Sequence, residues 1–139
     1  MNYGSLMEQL ELHEGFRSKV YKDSVGVNTI GIGRNVDSTG ITREEALYLL
    51  RNDIDRVITE IRSRYDWFDT LSEIRKRVVV DMVFNLGIYR FSKFINTIKY
   101  IELGWYEKAA EGMLNSKWAT QVGKRAIRLA NMMRTDEVY

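Results

Sequence analysis

The helical hydrophobic period of this chain is interrupted once, and that interruption limits the fold more than any other feature. From residue 42 onward, apolar residues recur at spacings of three and four, which is typical of amphipathic helices. Thr42 and Glu45 form a capping-box pattern, and we predict one long helix over residues 42–64. Residues 16–33 lack the helical period, and the turn sequence Asp23-Ser24-Val25-Gly26 separates two short extended segments. The pattern predicts an α+β fold that is mostly helical, with a small N-terminal β-hairpin lobe joined by the long helix to a helical C-terminal lobe.

A shorter helix is predicted before the hairpin. When residues 3–14 are plotted as a helix, the apolar side chains and Glu14 lie within one arc of about 100°, and Glu14 is the last inward position. The apolar side chains are Tyr3, Leu6, Met7 and Leu10. Gly15 is the expected C-cap. In the hairpin, we expect Ile30 and Ile32 on the core face and Thr29 on the opposite face.

The C-terminal part of the chain contains further helix patterns. Thr70 with Glu73 is a second capping pattern, and it starts a nearly all-apolar helix that Gly87 should end. Other helices are predicted around residues 91–103, 105–114 and 123–133. We expect residues 1–139 to form a single domain, made of an N-terminal lobe at 1–41, the linking helix at 42–64 and a helical lobe at 65–139.

Composition excludes several kinds of functional site. The chain of 139 residues has no Cys and one His, which rules out disulfides, thiol nucleophiles and Cys/His zinc sites. A Ser/His/Asp triad would need His13 as its base. Gly31-Ile32-Gly33 is half of a dinucleotide-binding fingerprint, but Val36 stands where the third glycine is needed. We therefore expect no metal and no cofactor, and chemistry carried by carboxylates, hydroxyls or amines.

Glu14, Asp23 and Thr29 are the candidate catalytic group, because they lie on a helix end, a turn and the following strand. At the end of an apolar stripe, Glu14 should be partly desolvated, which raises the pKa of a carboxyl group. Asp23 should stay hydrated and ionised in its turn. Two carboxyl groups whose pKa values are driven apart, beside a hydroxyl that can hold a water, are typical of glycoside hydrolysis. The same residue types are also common as structural helix ends and turn residues.

The order of several short motifs resembles the phage T4-type lysozymes, the glycoside hydrolase family that cleaves peptidoglycan. The motifs are Leu-His-Glu-Gly-Phe-Arg at 12–17, Val-Tyr-Lys-Asp at 20–23, Thr-Ile-Gly-Ile-Gly at 29–33, Asp-Met-Val-Phe-Asn-Leu-Gly at 81–87, Asn-Thr-Ile at 96–98, Ser-Lys-Trp at 116–118 and Gly-Lys-Arg-Ala-Ile-Arg at 123–128. They extend over almost the whole chain in the family's order. The resemblance implies a lysozyme-like fold.

The resemblance also implies roles for individual residues. Glu14 would donate the proton to the glycosidic oxygen, Asp23 would be the second catalytic carboxylate, and Thr29 would position the attacking water. Arg125 would pair with Glu14 and so lower the pKa of its carboxyl group, in opposition to desolvation. The expected substrate-binding residues are Phe84, Thr97, Arg34, Asn35 and Asn85.

Two positions depart from the family pattern. The best-known members have a His after Thr-Ile-Gly-Ile-Gly, where this chain has Arg34, and an Asp before the catalytic Glu, where it has His13. The segment between Arg34 and Thr42 is also shorter than in the best-known member, which has an extra helix there. We therefore expect a smaller N-terminal lobe and a more open cleft.

The predicted activity is that of a muramidase of the endolysin type, which hydrolyses the β-1,4 bond between N-acetylmuramic acid and N-acetylglucosamine and so lyses the host cell. A lytic transglycosylase acting on the same bond is one alternative, and a lysozyme-fold protein without activity is another. A basic helical module that binds nucleic acid or an anionic surface is the alternative from another class. It is suggested by the charge distribution, because residues 70–139 carry 12 basic and 7 acidic groups, against 9 and 12 in residues 1–69.

The expected partners and location follow from the export signals that the sequence lacks. Glu8, Glu11 and Glu14 interrupt the opening segment, so no signal peptide is recognised, and no apolar run approaches the roughly 18 residues of a membrane span. We expect synthesis in the host cytoplasm and action on the cell wall after release by a holin-type membrane permeabiliser. We expect a monomer whose substrate is peptidoglycan, with no nucleic-acid partner and no stable membrane insertion.

Overall fold

The computed structural model describes residues 1–138, which form several helices and one small antiparallel sheet. The predicted α+β class, mostly helical with a small sheet near the N-terminus, is confirmed. The chain forms two compact units, the first at Met1–Leu49 and the second beginning at Leu50. The division falls inside the long helix. The single-domain organisation with lobes at 1–41 and 65–139 stays a prediction.

The first helix, α1 (Tyr3–Glu14), has the predicted bounds but not the predicted burial. Asn2 caps it, because its Oδ1 accepts a hydrogen bond from the Ser5 N–H at 3.1 Å. No residue of α1 is buried, and Tyr3 and Met7 are 72% and 66% exposed. The prediction of a buried apolar stripe is therefore wrong. The strands of the same unit are six, four and two residues long, and so short a sheet is too small to cover a twelve-residue helix.

The sheet contains three strands in the order β1 (Arg17–Lys22), β2 (Asn28–Gly31) and β3 (Arg34–Asn35). The predicted turn at residues 23–26 is confirmed, since the Gly26 N–H donates to the Asp23 carbonyl at 3.0 Å. The predicted faces are wrong for Thr29, which is buried, and for Ile32, which is 45% exposed, whereas Ile30 is half-buried. Thr29 lies in the central strand, opposite Tyr21 on one side and Asn35 on the other, and Ile32 is exposed because it lies in the β2–β3 turn and not in a strand.

The long helix, α2 (Arg43–Arg64), begins with the predicted capping box. The Thr42 hydroxyl accepts a hydrogen bond from the Glu45 N–H at 3.1 Å, and the Glu45 carboxylate accepts one from the Thr42 N–H at 2.8 Å. The same carboxylate accepts two hydrogen bonds from Arg34, at 3.0 Å from NH1 and 2.6 Å from NH2. Arg34 NH1 also donates to the Gly40 carbonyl at 2.9 Å. One guanidinium therefore joins β3, the following loop and the start of α2.

The hydrogen bonds around Glu45 change its ionisation. Chiefly the Arg34 side chain, and next the Thr42 N–H, lower the pKa of the Glu45 carboxyl from 4.5 to about 2. The same Arg34–Glu45 hydrogen bond raises the pKa of the Arg34 guanidinium. The pair is therefore fully ionised throughout the physiological pH range.

The described residues of the second unit contain helices and no strand, and in one of the helices, α3 (Glu73–Leu86), Val78, Val79 and Met82 have no exposed surface. A short 3₁₀ helix, Asp66–Thr70, precedes it. The remaining helices are α4 (Ile88–Phe91), α5 (Ile95–Leu103), α6 (Tyr106–Leu114), α7 (Lys117–Val122) and α8 (Lys124–Thr135). Gly87 ends α3 as predicted. An apolar helix of this kind is stable only when other helices cover it on most sides.

The predicted start of α3 is displaced by two residues. Ser72, not Thr70, is the cap, because the Ser72 hydroxyl accepts a hydrogen bond from the Arg75 N–H at 3.2 Å. The Thr70 hydroxyl instead donates to the Trp67 carbonyl at 2.6 Å, at the end of the 3₁₀ helix. Both residues are good cap formers, but Thr70 is the last residue of the preceding 3₁₀ helix, which was not predicted, so Ser72 lies at the start of α3.

Aromatic side chains link the helices of the second unit in a series. The ring centroids of Tyr65 and Phe91 are 5.8 Å apart, those of Phe91 and Phe94 are 6.4 Å apart, and those of Phe94 and Trp118 are 6.1 Å apart.

Among residues 1–138, no helix is long and apolar enough to cross a membrane.

The Arg34–Glu45 pair makes the first unit sensitive to acid. The unfolded carboxyl takes up its proton near pH 4.5 and the folded one near pH 2, so the stability that Glu45 contributes is present above about pH 4.5 and is lost as the pH falls toward 2. We expect the melting temperature of Glu45→Gln to lie below that of the wild type at pH 7, with a difference that narrows below pH 4.5. Glu44→Gln, in the same helical turn, is the control. Melting curves that differ equally at pH 7 and pH 2 would contradict this.

Gly112 packs against Thr97 in the second unit, and this contact predicts how a side chain at residue 112 changes the stability. A Cβ on Gly112 would overlap the Thr97 hydroxyl, and Thr97 is only 4% exposed, so it has little room to move. We expect Gly112→Ala to lower the free energy of unfolding by about 1–3 kcal/mol, in spite of alanine's higher helix propensity. The same substitution in a Thr97→Ala background, which lacks the hydroxyl, is the control. Urea unfolding of the wild type, the two single variants and the double variant measures both effects, and equal losses in the two backgrounds would refute the contact.

Candidate active site

Glu14 is the last residue of α1, and the chain turns into the sheet directly after it. Gly15 ends the helix with a φ of +73°, and its N–H donates to the Glu11 carbonyl at 2.8 Å. The Glu14 side chain is exposed, so the desolvation predicted from the apolar stripe is wrong, for the reason that α1 buries none of its residues. The side chain lies against Gly33 in the β2–β3 turn, where a Cβ would come within 2.9 Å of the Glu14 Oε2 atom.

Asp23 opens the turn between β1 and β2, and backbone groups hold its carboxylate. Its Oδ1 atom accepts hydrogen bonds from the N–H groups of Val25, at 2.9 Å, and Val27, at 2.8 Å. The described residues donate nothing to its Oδ2 atom. One oxygen is therefore used to orient the carboxylate, and the other is available to a substrate or a water.

Thr29 follows on the central strand, and its hydroxyl is oriented by the same backbone. Oγ1 donates to the Val27 carbonyl at 2.9 Å, so the oxygen's lone pairs remain to accept a hydrogen bond. The Val27 carbonyl also accepts from the Asp23 N–H at 2.9 Å. The backbone of Val27 thus anchors both Asp23 and Thr29. Sequence reasoning did not find this role, since a backbone contact of this kind leaves no signature in the identity of the residue.

Arg34 and Asn35, two of the predicted substrate-binding residues, have partners within the first unit. Arg34 donates to Glu45 and Gly40, as described above. The Asn35 side-chain oxygen accepts a hydrogen bond from the Ser38 N–H at 2.9 Å. These contacts stabilise the loop after β3, and a role of either side chain in substrate binding stays a prediction.

The remaining predicted substrate-binding residues lie in the second unit. Phe84 is 44% exposed and lines a cavity of about 600 Å³. Thr97 is buried and lines a different cavity, of about 550 Å³, beside Trp118. Asn85 accepts a hydrogen bond from the Trp118 indole N–H at 2.8 Å, which fixes both side chains. Of these three residues, Phe84 has the exposed aromatic ring.

Arg125, the predicted partner of Glu14, is paired with Asp81 inside the second unit. Its Nε donates to the Asp81 carboxylate at 2.8 Å, and its NH2 lies 2.7 Å from the same oxygen. Both side chains are more than a third exposed. Asp81 stands 44 residues before Arg125, so neighbouring positions in the sequence give no signal of this pair. Glu14 belongs to the first unit and Arg125 to the second, and their pairing stays a prediction.

A metal centre is not indicated by the side chains that the structure describes. Among residues 1–138, no group of three or more His, Asp or Glu side chains is arranged so that it could hold a metal ion. The first unit offers an exposed carboxyl group on a helix end, together with a second carboxylate and a hydroxyl that the backbone of Val27 orients.

Comparison with known proteins places these elements in a family. The family model described as "Phage lysozyme" matches residues 11–136. "Probable T4-type lysozyme 2" of Dictyostelium discoideum is 27% identical to this chain, over 94% of each. "Pre-baseplate central spike protein Gp5" of Enterobacteria phage T4 is 28% identical over 94% of this chain and 28% of its own length. "Peptidoglycan hydrolase gp36" of Pseudomonas phage phiKMV is 29% identical over 86% of this chain and 14% of its own length.

The family match begins just before Glu14 and extends over both units, so it includes the helix end, the turn and the strand that carry the candidate catalytic group. The resemblance inferred from the order of the sequence motifs is thereby confirmed. A sequence with these elements in this order, matched over nearly its whole length, belongs to the phage lysozyme family.

Proposed function

We propose that this protein is a muramidase that hydrolyses the β-1,4 bond between N-acetylmuramic acid and N-acetylglucosamine in bacterial peptidoglycan. The observation that carries the proposal is the joint anchoring of Asp23 and Thr29 by the Val27 backbone, close in sequence to the exposed carboxyl group of Glu14. The names of the relatives, which include lysozymes and a peptidoglycan hydrolase, support the same substrate.

In the proposed reaction, Glu14 is the general acid. Its proton passes to the glycosidic oxygen as the bond between that oxygen and the anomeric carbon breaks. No residue of the first unit donates a hydrogen bond to the Glu14 carboxyl group, so the group is free to contact the sugar. Arg125, in the second unit, is proposed as an electrostatic partner of Glu14, in addition to its contact with Asp81.

The nucleophile is proposed to be a water held by Thr29 and Asp23. The Thr29 hydroxyl already donates to Val27, so it accepts a hydrogen bond from the water. The free Oδ2 atom of Asp23 accepts the other, and takes up the proton as the water oxygen bonds to the anomeric carbon. A water attacking from the side opposite the leaving group inverts the configuration of that carbon.

Contacts to the rest of the glycan are proposed for five residues. The exposed ring of Phe84 would pack against a sugar face, as aromatic side chains do in carbohydrate sites. The other four are Thr97, Asn85, Arg34 and Asn35, all of which the structure also uses for internal contacts. For these four, the proposal is that the internal contacts hold the side chain in place for the substrate.

The biological role that we propose is lysis of a bacterial host. The protein would be made in the host cytoplasm, act as a monomer, and reach the cell wall after a holin-type protein permeabilises the membrane. The phage origin of two of the relatives supports this role.

Among the alternatives, a lytic transglycosylase uses a single catalytic acid and no water, so the paired anchoring of Asp23 and Thr29 favours a hydrolase. The nucleic-acid-binding alternative has less support, because several cations of the second unit already have acidic partners. The pairs are Arg62 with Asp69, Arg75 with Asp136 and Arg125 with Asp81.

The role of Glu14 is tested by Glu14→Gln, which keeps the size and shape of the side chain but has no carboxyl proton to donate. We expect the rate of peptidoglycan digestion to fall by about 10² to 10⁴-fold, since a positioned general acid contributes that much. Glu11→Gln, one turn earlier on the same exposed helix, is the control and should digest at the wild-type rate. Mass spectrometry of the released muropeptides completes the test. Products with 1,6-anhydro ends would identify a transglycosylase, and an active Glu14→Gln would refute the assignment of the acid.

The role of the water predicts the stereochemistry. Attack opposite the leaving group should give the α-anomer as the first product of cleavage at a β-1,4 bond. Proton NMR of a soluble glycan fragment, recorded in the first minutes before mutarotation, distinguishes the two anomers. An early excess of the β-anomer would exclude a single inverting attack by water and favour a covalent intermediate on Asp23.

A further inference from the structure

Gly31 and Gly33 lie on either side of Ile32 in the turn between β2 and β3. Their φ angles are +70° and +71°, a backbone conformation that residues with a side chain rarely adopt. The two glycines are therefore equivalent in this backbone angle. They differ in their surroundings.

The space around Gly31 is open, and the space around Gly33 is filled by Glu14. A Cβ built on Gly31 meets no atom within 4 Å. A Cβ built on Gly33 lies 2.9 Å from Oε2, 3.0 Å from Cδ and 3.1 Å from Cγ of Glu14, all closer than ordinary van der Waals contact. Every one of these neighbours belongs to the side chain of Glu14, so it packs directly on the bare backbone of the turn.

This contact restricts a side chain that is otherwise little restrained. Glu14 is exposed, it ends a helix, and no residue of the first unit forms a hydrogen bond with its carboxyl group. A glutamate in such a place samples many rotamers, and holding it in one of them costs conformational entropy at each turnover. The rate of proton transfer depends steeply on position, because a displacement of about 1 Å can cost 10²-fold.

We propose that Gly33 is a positioning residue for the general acid: the absence of a side chain at residue 33 lets the Glu14 carboxyl group pack against the turn and holds it where it protonates the substrate. The inference rests on the proposed role of Glu14. It gives separate functions to two glycines that have the same backbone conformation, Gly31 for the turn alone and Gly33 for the turn and the acid.

The test compares Gly33→Ala with Gly31→Ala, which carries the same backbone strain without the contact. The Glu14 side chain is exposed and can move aside, so both variants should lower the melting temperature by similar amounts. On soluble uncrosslinked glycan strands, kcat of Gly33→Ala should fall about 10 to 100-fold further than kcat of Gly31→Ala, with KM changed less than about threefold in both. Equal losses of kcat would overturn the proposal.

A double substitution provides a second kinetic readout. Glu14→Asp withdraws the carboxyl group by one methylene and so away from the methyl group of Gly33→Ala. In the Glu14→Asp background, the fold-reduction of kcat caused by Gly33→Ala should be less than a third of the fold-reduction that it causes in the wild type. The fold-reduction caused by Gly31→Ala should be the same in both backgrounds. If the fold-reductions of kcat caused by Gly33→Ala and Glu14→Asp simply multiply in the double variant, the two residues act independently and the contact is overturned.

A readout without catalysis separates this inference from the proposed function. The ¹³C chemical shift of the Glu14 carboxyl carbon should move in Gly33→Ala and stay in place in Gly31→Ala. If Glu14→Gln is active, the proposed function fails while this shift still tests the contact. If alanine unfolds the chain at either position, Gly33→Asn and Gly31→Asn replace it, because asparagine tolerates positive φ. Unfolding of Gly33→Asn alone would overturn the proposal, since an exposed glutamate should yield to the new side chain.

Discussion

The guanidinium of Arg34 donates hydrogen bonds to both oxygens of Glu45, and Glu45 at the same time closes the capping box with Thr42. This contact matters because the first unit has almost no apolar core: among its residues only Thr29 is fully buried. Hydrophobic burial, the usual source of stability, is therefore small in the unit that carries the candidate catalytic group. Hydrogen bonds therefore supply a larger share of its stability, among them those that Arg34 and Glu45 form between β3, the following loop and the start of α2. Both side chains of the ion pair are more than a third exposed, so the pair itself contributes modestly.

The second unit is stabilised in the opposite way. Its helix α3 buries five side chains between Val78 and Leu86, and these share one core with large, fully buried side chains such as Phe68, Phe91 and Met113. Burial of each such side chain contributes roughly 1.5–3 kcal/mol. A close-packed core of this kind fixes the helices that carry the surface side chains. The Asp81–Arg125 pair on its surface and the Asn85–Trp118 hydrogen bond are examples of side chains held in this manner. In the proposed function, the helical second unit contacts the glycan, and the small polar first unit carries the catalytic side chains.

Local interactions were predicted well because they are encoded by residues close in sequence. The Thr42–Glu45 capping box, the bounds of α2, the Asp23–Gly26 turn and the end of α3 at Gly87 all depend on groups within a few residues of one another. Burial was predicted less well. The alternation in β2 predicted the strand, but Thr29, which was expected on the outer face, is buried, and Ile32 lies in the turn beyond the strand. The apolar residues of α1 do share one side of the helix, yet such a stripe does not specify what covers it.

Sequence alone determined the class of the fold, the order of the hairpin and the main helices, the family and the identity of the candidate acid, since each follows from local patterns or from motifs in a set order. Tertiary structure alone decided which partners those residues have. Arg34, in the short strand β3, pairs with a carboxylate in the first turn of the next helix. Gly31 and Gly33 are the same residue with the same backbone angle, and only one of them lies under the side chain of Glu14. The difference arises because the chain returns past the end of α1 after forming the hairpin, and no local pattern records where a chain returns.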